Sequence, residues 1–484
     1  MNYKESQHHS QLTVTPDEAI RLPSYAPGFR QTGGWFTRTA EINTGTRAKP
    51  VIVKKKIHRL TGGLSAELNA MFAAENEVCP VCGGHMHAHG SEYVLLKHIT
   101  LGSDYTELNV CRLRRACSVC TYSVTQRIPF QDGSHRITRA AGAGILHAMK
   151  HGGTCKKAAI DCGINRNIVM EVHKSHLAGY YTDCDGVLIK PERQALYLGI
   201  DEWKLHDGNH YATIIIDLET GHILWIQDTK KTDVVRNFIA HAGDEFMKKV
   251  KGIACDMNAD FARAFKKAYD HLEIIYDRFH LIRNFNEKVI TPVRIAEQKR
   301  LKAEGRHEEA ERLRRNRYIT TSSRDTLKAK DAQGAEALKA GVTDVRPSGQ
   351  TLFKSLRSPV PPGDNRLETY EDLIRDNRLL CALDIVREQL RQAYMEPDAG
   401  SMKKVLEGIV SVCRETGNEH FKWFAKLVKD HLDGIIAYAV HRVTSGKCEG
   451  IVNLIKTVRR AAYGFKDTDY FFLRLLDASR GYPA

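Results

Sequence analysis

The chain has 484 residues, 42% of them hydrophobic, enough for several domains with cores of ordinary composition. Its 72 Lys and Arg against 58 Asp and Glu give a net charge of +14, which favours a polyanionic partner, nucleic acid above all. No apolar run approaches the roughly 18 residues of a membrane span, and the first ten residues are polar, so a cytoplasmic protein is expected, nucleoid-associated when acting.

Residues 1 to about 50 mix Gly, Pro, Thr and charged residues without sustained periodicity, and Lys54-Lys55-Lys56 follows. Residues 1–70 read as a basic N-terminal arm, either a flexible solvated tail or a segment that orders on DNA.

Residues 71–130 carry the first chemical signal. Four of the 12 cysteines form two Cys-x-x-Cys pairs, Cys79/Cys82 and Cys117/Cys120, separated by 35 positions. Each pair makes a turn that aims two thiolates at one point, and two such turns close a tetrahedral Zn²⁺ site with no open position for a substrate. Tyr93 to Ile99 and Tyr105 to Leu113 are predicted strands of the intervening ribbon. Cys111 and the histidines at 85, 87 and 89 are spare candidates, better read as a buried strand residue and a solvated loop.

Residues 131–185 have the rhythm of a helix-turn-helix. Ala159 is small enough for close helix approach, Gly163 makes the turn and Val169 anchors the second helix. Asn165, Arg166 and Asn167 then open the recognition helix and are candidates for reading DNA.

From residue 190 the pattern changes to strands. Leu196 to Trp203 is an apolar strand that carries Asp201, and an ionised carboxylate in such a strand needs a metal or a cation. Two further strands, 211–217 and 222–227, extend it into a meander. A helix over 232–250 leads to a short strand ending at Asp256, and a helix over 260–269 leads to another ending at Asp277. The order β-β-β-α-β-α-β matches a ribonuclease H-like sheet, which brings Asp201 beside Asp256. Residues 291–440 read as an all-α insertion, with a loop at 343–365 and helices over 367–394, 402–416 and 421–441. Beyond it, at 100° per residue, Asn453, Lys456 and Arg460 fall within about 40° of Glu449 while Ile451, Leu454, Ile455 and Val458 lie opposite.

These motifs together resemble the ISL-three (ISL3) class of bacterial insertion-sequence transposases over roughly residues 75–480. The resemblance rests on Cys-Pro-x-Cys-Gly at 79–83, Gly-Ile-Asp-Glu at 199–202, Asp256, Asp-Arg-Phe-His at 277–280, Ser-Gly-Lys-Cys-Glu-Gly at 445–450 with Asn453 and Lys456, and Ala-Tyr-Gly-Phe at 462–465. It implies a multidomain α+β protein: a zinc ribbon, a helix-turn-helix that binds terminal inverted repeats, and a ribonuclease H-like DDE catalytic domain over 190–290 and 441–484, interrupted by the helical insertion. By that mapping Asp201, Asp256 and Glu449 are the catalytic triad and hold two Mg²⁺ or Mn²⁺ ions, with Asp277 and His280 as accessory candidates. Lys456, Arg459 and Arg460 are candidate phosphate contacts. Pairing two element ends implies at least a dimer on double-stranded DNA. Two other classes of activity stay open: a transposase-derived regulator without catalysis, and a metal-dependent nuclease that does not join strands. The longer N-terminal extension and Cys448 beside Glu449 depart from the family pattern.

Overall fold

A computed structural model describes residues 29–43, 51–64, 66–100, 102, 104–150, 153–205, 210–229, 232–257, 259–339, 365–375 and 377–481. The chain divides into two compact units, Met1–Ile189 with Lys456–Asp477, and Lys190–Ile455 with Ala478–Ala484.

In the first unit, β1 (Phe29–Asn43) and β2 (Ile52–Leu64) pair antiparallel, and α1 (Ala66–Glu75) follows. β3 (Met86–Lys97), β4 (Tyr105–Cys117) and the short β5 (Ser123–Thr125) complete a sheet of order β1-β2-β4-β3, with β5 on β4. The ordered strands at 29–43 and 52–64 differ from the arm expected there. β2 runs parallel to β4 from Ile57–Tyr105 to Gly63–Cys111, and this long-range pairing has no local periodicity to announce it. Leu60, Leu96, Leu108 and Val110 are fully buried in the core beneath the sheet. Glu107, also fully buried, is offset by Arg59 at 3.3 Å and Lys97 at 2.5 Å, because an unpaired carboxylate there would be strongly destabilising. Residues 1–28 and 44–50 lie outside the described part.

Three helices follow: α2 (Arg139–Lys150), α3 (Cys155–Cys162) and α4 (Arg166–Tyr181). Ile145, Ala158, Ala159, Ile164 and Val169 form their common core, each no more than 1% exposed.

The second unit is built on a five-stranded sheet of order β10-β9-β6-β7-β8. β6 (Tyr197–Lys204), β7 (Tyr211–Asp217) and β8 (Ile223–Gln227) form the antiparallel meander. β9 (Gly252–Cys255) and β10 (Glu273–Tyr276) run parallel to β6. Parallel neighbours need crossovers. α5 (Asp233–Ala242) and α6 (Asp244–Lys249) supply the first, and α7 (Ala259–Ala268) the second. The helix expected over 232–250 is divided at Gly243, whose φ of 88° takes the chain out of helical geometry. Val234, Val235 and Phe238 occupy the buried face of α5 at helical spacing.

α8 (Arg278–Phe285) continues through a π-helical turn at Asn286–Ile290 into α9 (Thr291–Ala303). The helical layer then comprises α10 (His307–Arg315), α11 (Arg317–Thr321), α12 (Arg324–Lys339), α13 (Arg366–Arg375), α14 (Arg378–Ala393), α15 (Ala399–Glu415), α16 (Glu419–Asp430) and α17 (Leu432–His441). The helix expected over 367–394 is two helices, because Asn377 caps α14 by accepting from the Leu379 and Leu380 amides. Asp384, 7% exposed, is satisfied by Arg324 at 2.7 Å and the Tyr370 hydroxyl at 2.6 Å. Apart from Asn365, the expected loop at 343–365 lies outside the described residues.

α18 (Gly446–Ala461) begins in the second unit, and α19 (Thr468–Ser479) follows it. The expectation of one catalytic segment over 441–484 differs from this division. Residues 456–477 belong with the first unit, where the Tyr470 hydroxyl lies 2.8 Å from His173 Nδ1 and Lys174 pairs with Asp467 at 2.7 Å.

Candidate active site and metal centre

The four cysteines of the two Cys-x-x-Cys turns meet. Their Sγ atoms all lie within 4.8 Å of one another, with Cys79–Cys120 at 3.6 Å and Cys82–Cys117 at 3.4 Å. Local backbone geometry explains the convergence: Gly83 at φ 71° returns its amide to the Cys79 carbonyl, and the Val119 and Cys120 amides donate to Cys117 Sγ at 3.3 and 3.4 Å. Those amides hold the Cys117 thiol down at about 6, close to a ready-made thiolate. Four soft sulfur donors at tetrahedral spacing are compatible with a structural zinc ion. Cys111 pairs with Tyr93 in the middle of the ribbon and is not part of the cluster, nor are the histidines at 85, 87 and 89.

In the three-helix group the turn forms as its residues require. Thr154 caps α3 by accepting from the Lys157 amide, and Gly163 at φ 64° closes it, with the Ile164 amide bonding to the Ala159 carbonyl. A Cβ at Gly163 would lie 2.5 Å from the Tyr105 ring, so the position demands glycine twice over. Asn165 has a local role that sequence reasoning missed: its side chain accepts from the Asn167 amide at 2.8 Å and caps α4. Arg166 and Asn167 are exposed on the first turn of α4.

The carboxylates are arranged by sheet register. β6 and β9 pair through Gly199–Ala254, and Asp201 and Asp256 each lie two residues further along. With side chains alternating, Asp201 leaves the same face of the sheet as Gly199, and Asp256 is the first residue beyond β9. On β10, Tyr276 pairs with Cys255, which puts Asp277 next in line after Asp256. Asp256 and Asp277 thus follow the last residues of β9 and β10, beside Asp201 in the middle of β6.

The start of α18 is fixed to this edge at two points. Cys448, 1% exposed, packs so closely on β6 that a Cβ at Gly199 would stand 2.4 Å from its Sγ. Burial, followed by the carboxylates of Asp201 and Asp277 and the Cys255 thiol, pushes the Cys448 thiol well above its ordinary range, so it is a neutral space-filler. Ser445 donates to Asp277, and the Asp277 side chain also caps α8 through the Phe279 amide. Glu449, exposed in the first turn of α18, follows Cys448 directly, and its amide bonds to the Ser445 carbonyl at 3.2 Å. His280 approaches Asp256, Nδ1 to Oδ1, at 3.3 Å.

The structure therefore places Asp201 on β6, Asp256 just beyond the neighbouring β9 and Glu449 in the first turn of α18, whose Cys448 packs on β6. It does not draw these carboxylates together as tightly as the cysteines: among the described residues, only the four cysteines have three or more metal-ligand atoms mutually within 4.8 Å. Three hard oxygen donors are the correct type for Mg²⁺ or Mn²⁺. Further along α18, Ile451 and Ile455 are buried as the helical pattern requires, whereas Lys456 and Arg460 are exposed and Arg459 is half-buried.

No helix of the described residues is long and apolar enough to cross a membrane. Residues 198–475 match the ISL3 transposase family, whose description is "Transposase". The chain is also similar to the transposase for insertion sequence element IS1001 of Bordetella parapertussis, at 22% identity over 406 residues, covering 84% of this chain and 89% of that protein.

Proposed function

The chain belongs to the ISL3 transposase family, and on that premise we propose that it binds the terminal inverted repeats of an insertion sequence and catalyses metal-dependent cleavage and strand transfer through Asp201, Asp256 and Glu449. The observation that carries the reading is the register that sets Asp201 and Asp256 two residues beyond the paired Gly199 and Ala254, with Cys448 seated on Gly199 and Glu449 next to it.

The sheet order β10-β9-β6-β7-β8, with β6, β7 and β8 antiparallel in turn and β9 and β10 parallel to β6, supports a ribonuclease H-like assignment for the catalytic sheet. Divalent ions bound there would make a water or 3′-hydroxyl nucleophilic and stabilise the leaving oxygen of the phosphodiester. Asp201, on the central strand, would hold the ions together with Asp256 and Glu449. His280 orients Asp256, and the Asp277–Ser445 contact holds α18 in the position that presents Glu449. Lys456, Arg459 and Arg460 hold the DNA backbone, Arg166 and Asn167 on α4 read base edges as the second helix of a helix-turn-helix, and the Cys₄ zinc stiffens the ribbon. Two such chains pair the two element ends.

Incubation with Mg²⁺ and end-labelled terminal-repeat DNA tests the proposal. Cut ends followed by products joined to a target support it. Cuts without joining make the chain a nuclease, and retarded bands without cuts make it a regulator.

A further inference from the structure

Tyr463 is 99% exposed, against 73% for Val119, the next most exposed large hydrophobic residue among those described. It also sits at φ 55°, in the left-handed region that a bulky residue with a Cβ avoids. The local turn holds it there. The Tyr463 amide bonds to the Arg460 carbonyl at 3.1 Å and the Gly464 amide to the Arg459 carbonyl at 3.0 Å, closing α18. On the other side Phe465 stacks on Phe471, with ring centroids 4.6 Å apart and planes at 25°. The chain is thus pinned before and after a tyrosine that buries nothing, in a conformation that glycine or asparagine would adopt with less strain. Folding gains nothing from the aromatic ring at this position, so its use lies outside the fold. Lys456 and Arg460 on α18 and Lys466 just beyond the turn are its exposed basic neighbours in sequence.

We propose that Tyr463 is a base-stacking residue, which receives an unpaired nucleobase of the DNA whose backbone the neighbouring cations hold. Every base offers a π-face to such a ring, so the contact needs no particular sequence, and it discriminates unpaired from paired DNA. The inference rests on the transposase reading and adds a site to it: transposition generates frayed and single-stranded ends, and a projecting aromatic captures the base that leaves the duplex.

The test uses the full-length protein, a blunt duplex, and the same duplex with a 3′ overhang whose first unpaired base is 2-aminopurine. Wild type is expected to quench the 2-aminopurine and to prefer the overhang by roughly tenfold, the range of one base–aromatic stack. Tyr463→Asn should lose both effects while keeping blunt-duplex affinity and a melting temperature no lower than wild type. Tyr463→Trp should retain the quench. A Tyr463→Asn protein that still quenches and still prefers the overhang overturns the proposal. So does one whose DNA behaviour is unchanged but whose sedimentation shifts to a smaller particle, since the ring then contacts a second copy. If wild type binds both duplexes equally, the stacking site alone fails. If it binds neither, the DNA-acting assignment fails with it.

Discussion

The hydroxyl of Ser445 donates to the carboxylate of Asp277, and both side chains are buried, at 5% and 6% exposure. Asp277 ends the strand–helix junction whose helix also carries His280 against Asp256, and Ser445 begins the turn that carries Glu449. One buried contact therefore ties the turn before Glu449 to the junction after β10.

Ser445→Ala should leave that Asp277 oxygen without its donor and cost about 1–3 kcal/mol of stability, read as a lower denaturant midpoint. DNA cleavage should fall further than folding alone explains, on the order of tenfold to a hundredfold, because Glu449 is no longer held in position. Ser445→Thr keeps the hydroxyl and should recover most of the rate. Equal rates in the Ala and Thr variants would remove the positioning role.

The Cys₄ cluster predicts about one zinc per chain by elemental analysis of the purified protein. Cys117→Ser should lose that metal and lower the melting temperature, since binding free energy is folding free energy at such a site. Treatment with a strong chelator should expose four additional reactive thiols, and their absence would contradict a closed thiolate site.

Acid should destabilise the first unit before it protonates most carboxylates. His98 and His173 are 2% and 4% exposed, and burial lowers them to about 4 and about 3, with Arg474 and His176 adding to the effect at His173. Both folded values lie below the ordinary 6.5, so the unfolded chain binds more protons. Their contribution to stability is complete above pH 6.5 and is lost as the pH falls towards 4 and then 3. At ~1.4 kcal/mol per unit the two shifts bound the total at about 8 kcal/mol. Chemical denaturation between pH 7 and 5 should give a falling midpoint, and His173→Gln should flatten the slope by up to one proton. A midpoint independent of pH over that range would contradict this account.

Sequence readout and backbone grip should separate. Arg166→Ala should change which terminal sequence is preferred, whereas Lys456→Ala or Arg460→Ala should weaken all DNA alike and lower the salt slope by nearly one unit each. Asn165 needs a variant that keeps its cap: Asn165→Asp retains the acceptor for the Asn167 amide, while Asn165→Ala adds about 1 kcal/mol of helix destabilisation to any effect on DNA. Binding titrations at several salt concentrations distinguish the two classes.

The signals that mark the candidate site in the sequence are local. Asp201 stood out as a charge in an apolar strand, the two Cys-x-x-Cys turns carry their own geometry, and the face of α18 follows from helical period. What escaped was long-range. The pairing of β2 with β4 orders a segment whose composition resembles a tail, and the Tyr470 hydroxyl beside His173 joins residues 297 positions apart. The breaks at Gly243 and Asn377 were readable turn and cap signals outweighed by the continuous apolar period around them. Ser445 and Tyr463 lay inside recognised motifs, but only burial in one case and exposure in the other gives them a role.

Asp201, Asp256 and Glu449 are proposed to act as one metal-binding set, and single-turnover cleavage of terminal-repeat DNA in Mg²⁺ by Asp201→Asn, Asp256→Asn and Glu449→Gln reads out each member. Each variant is expected to bind the DNA as wild type does and to cut it about a thousandfold more slowly or worse. Cutting at the native rate by any one of them would remove that residue from the set, and native cutting by Asp201→Asn would overturn the assignment of the site.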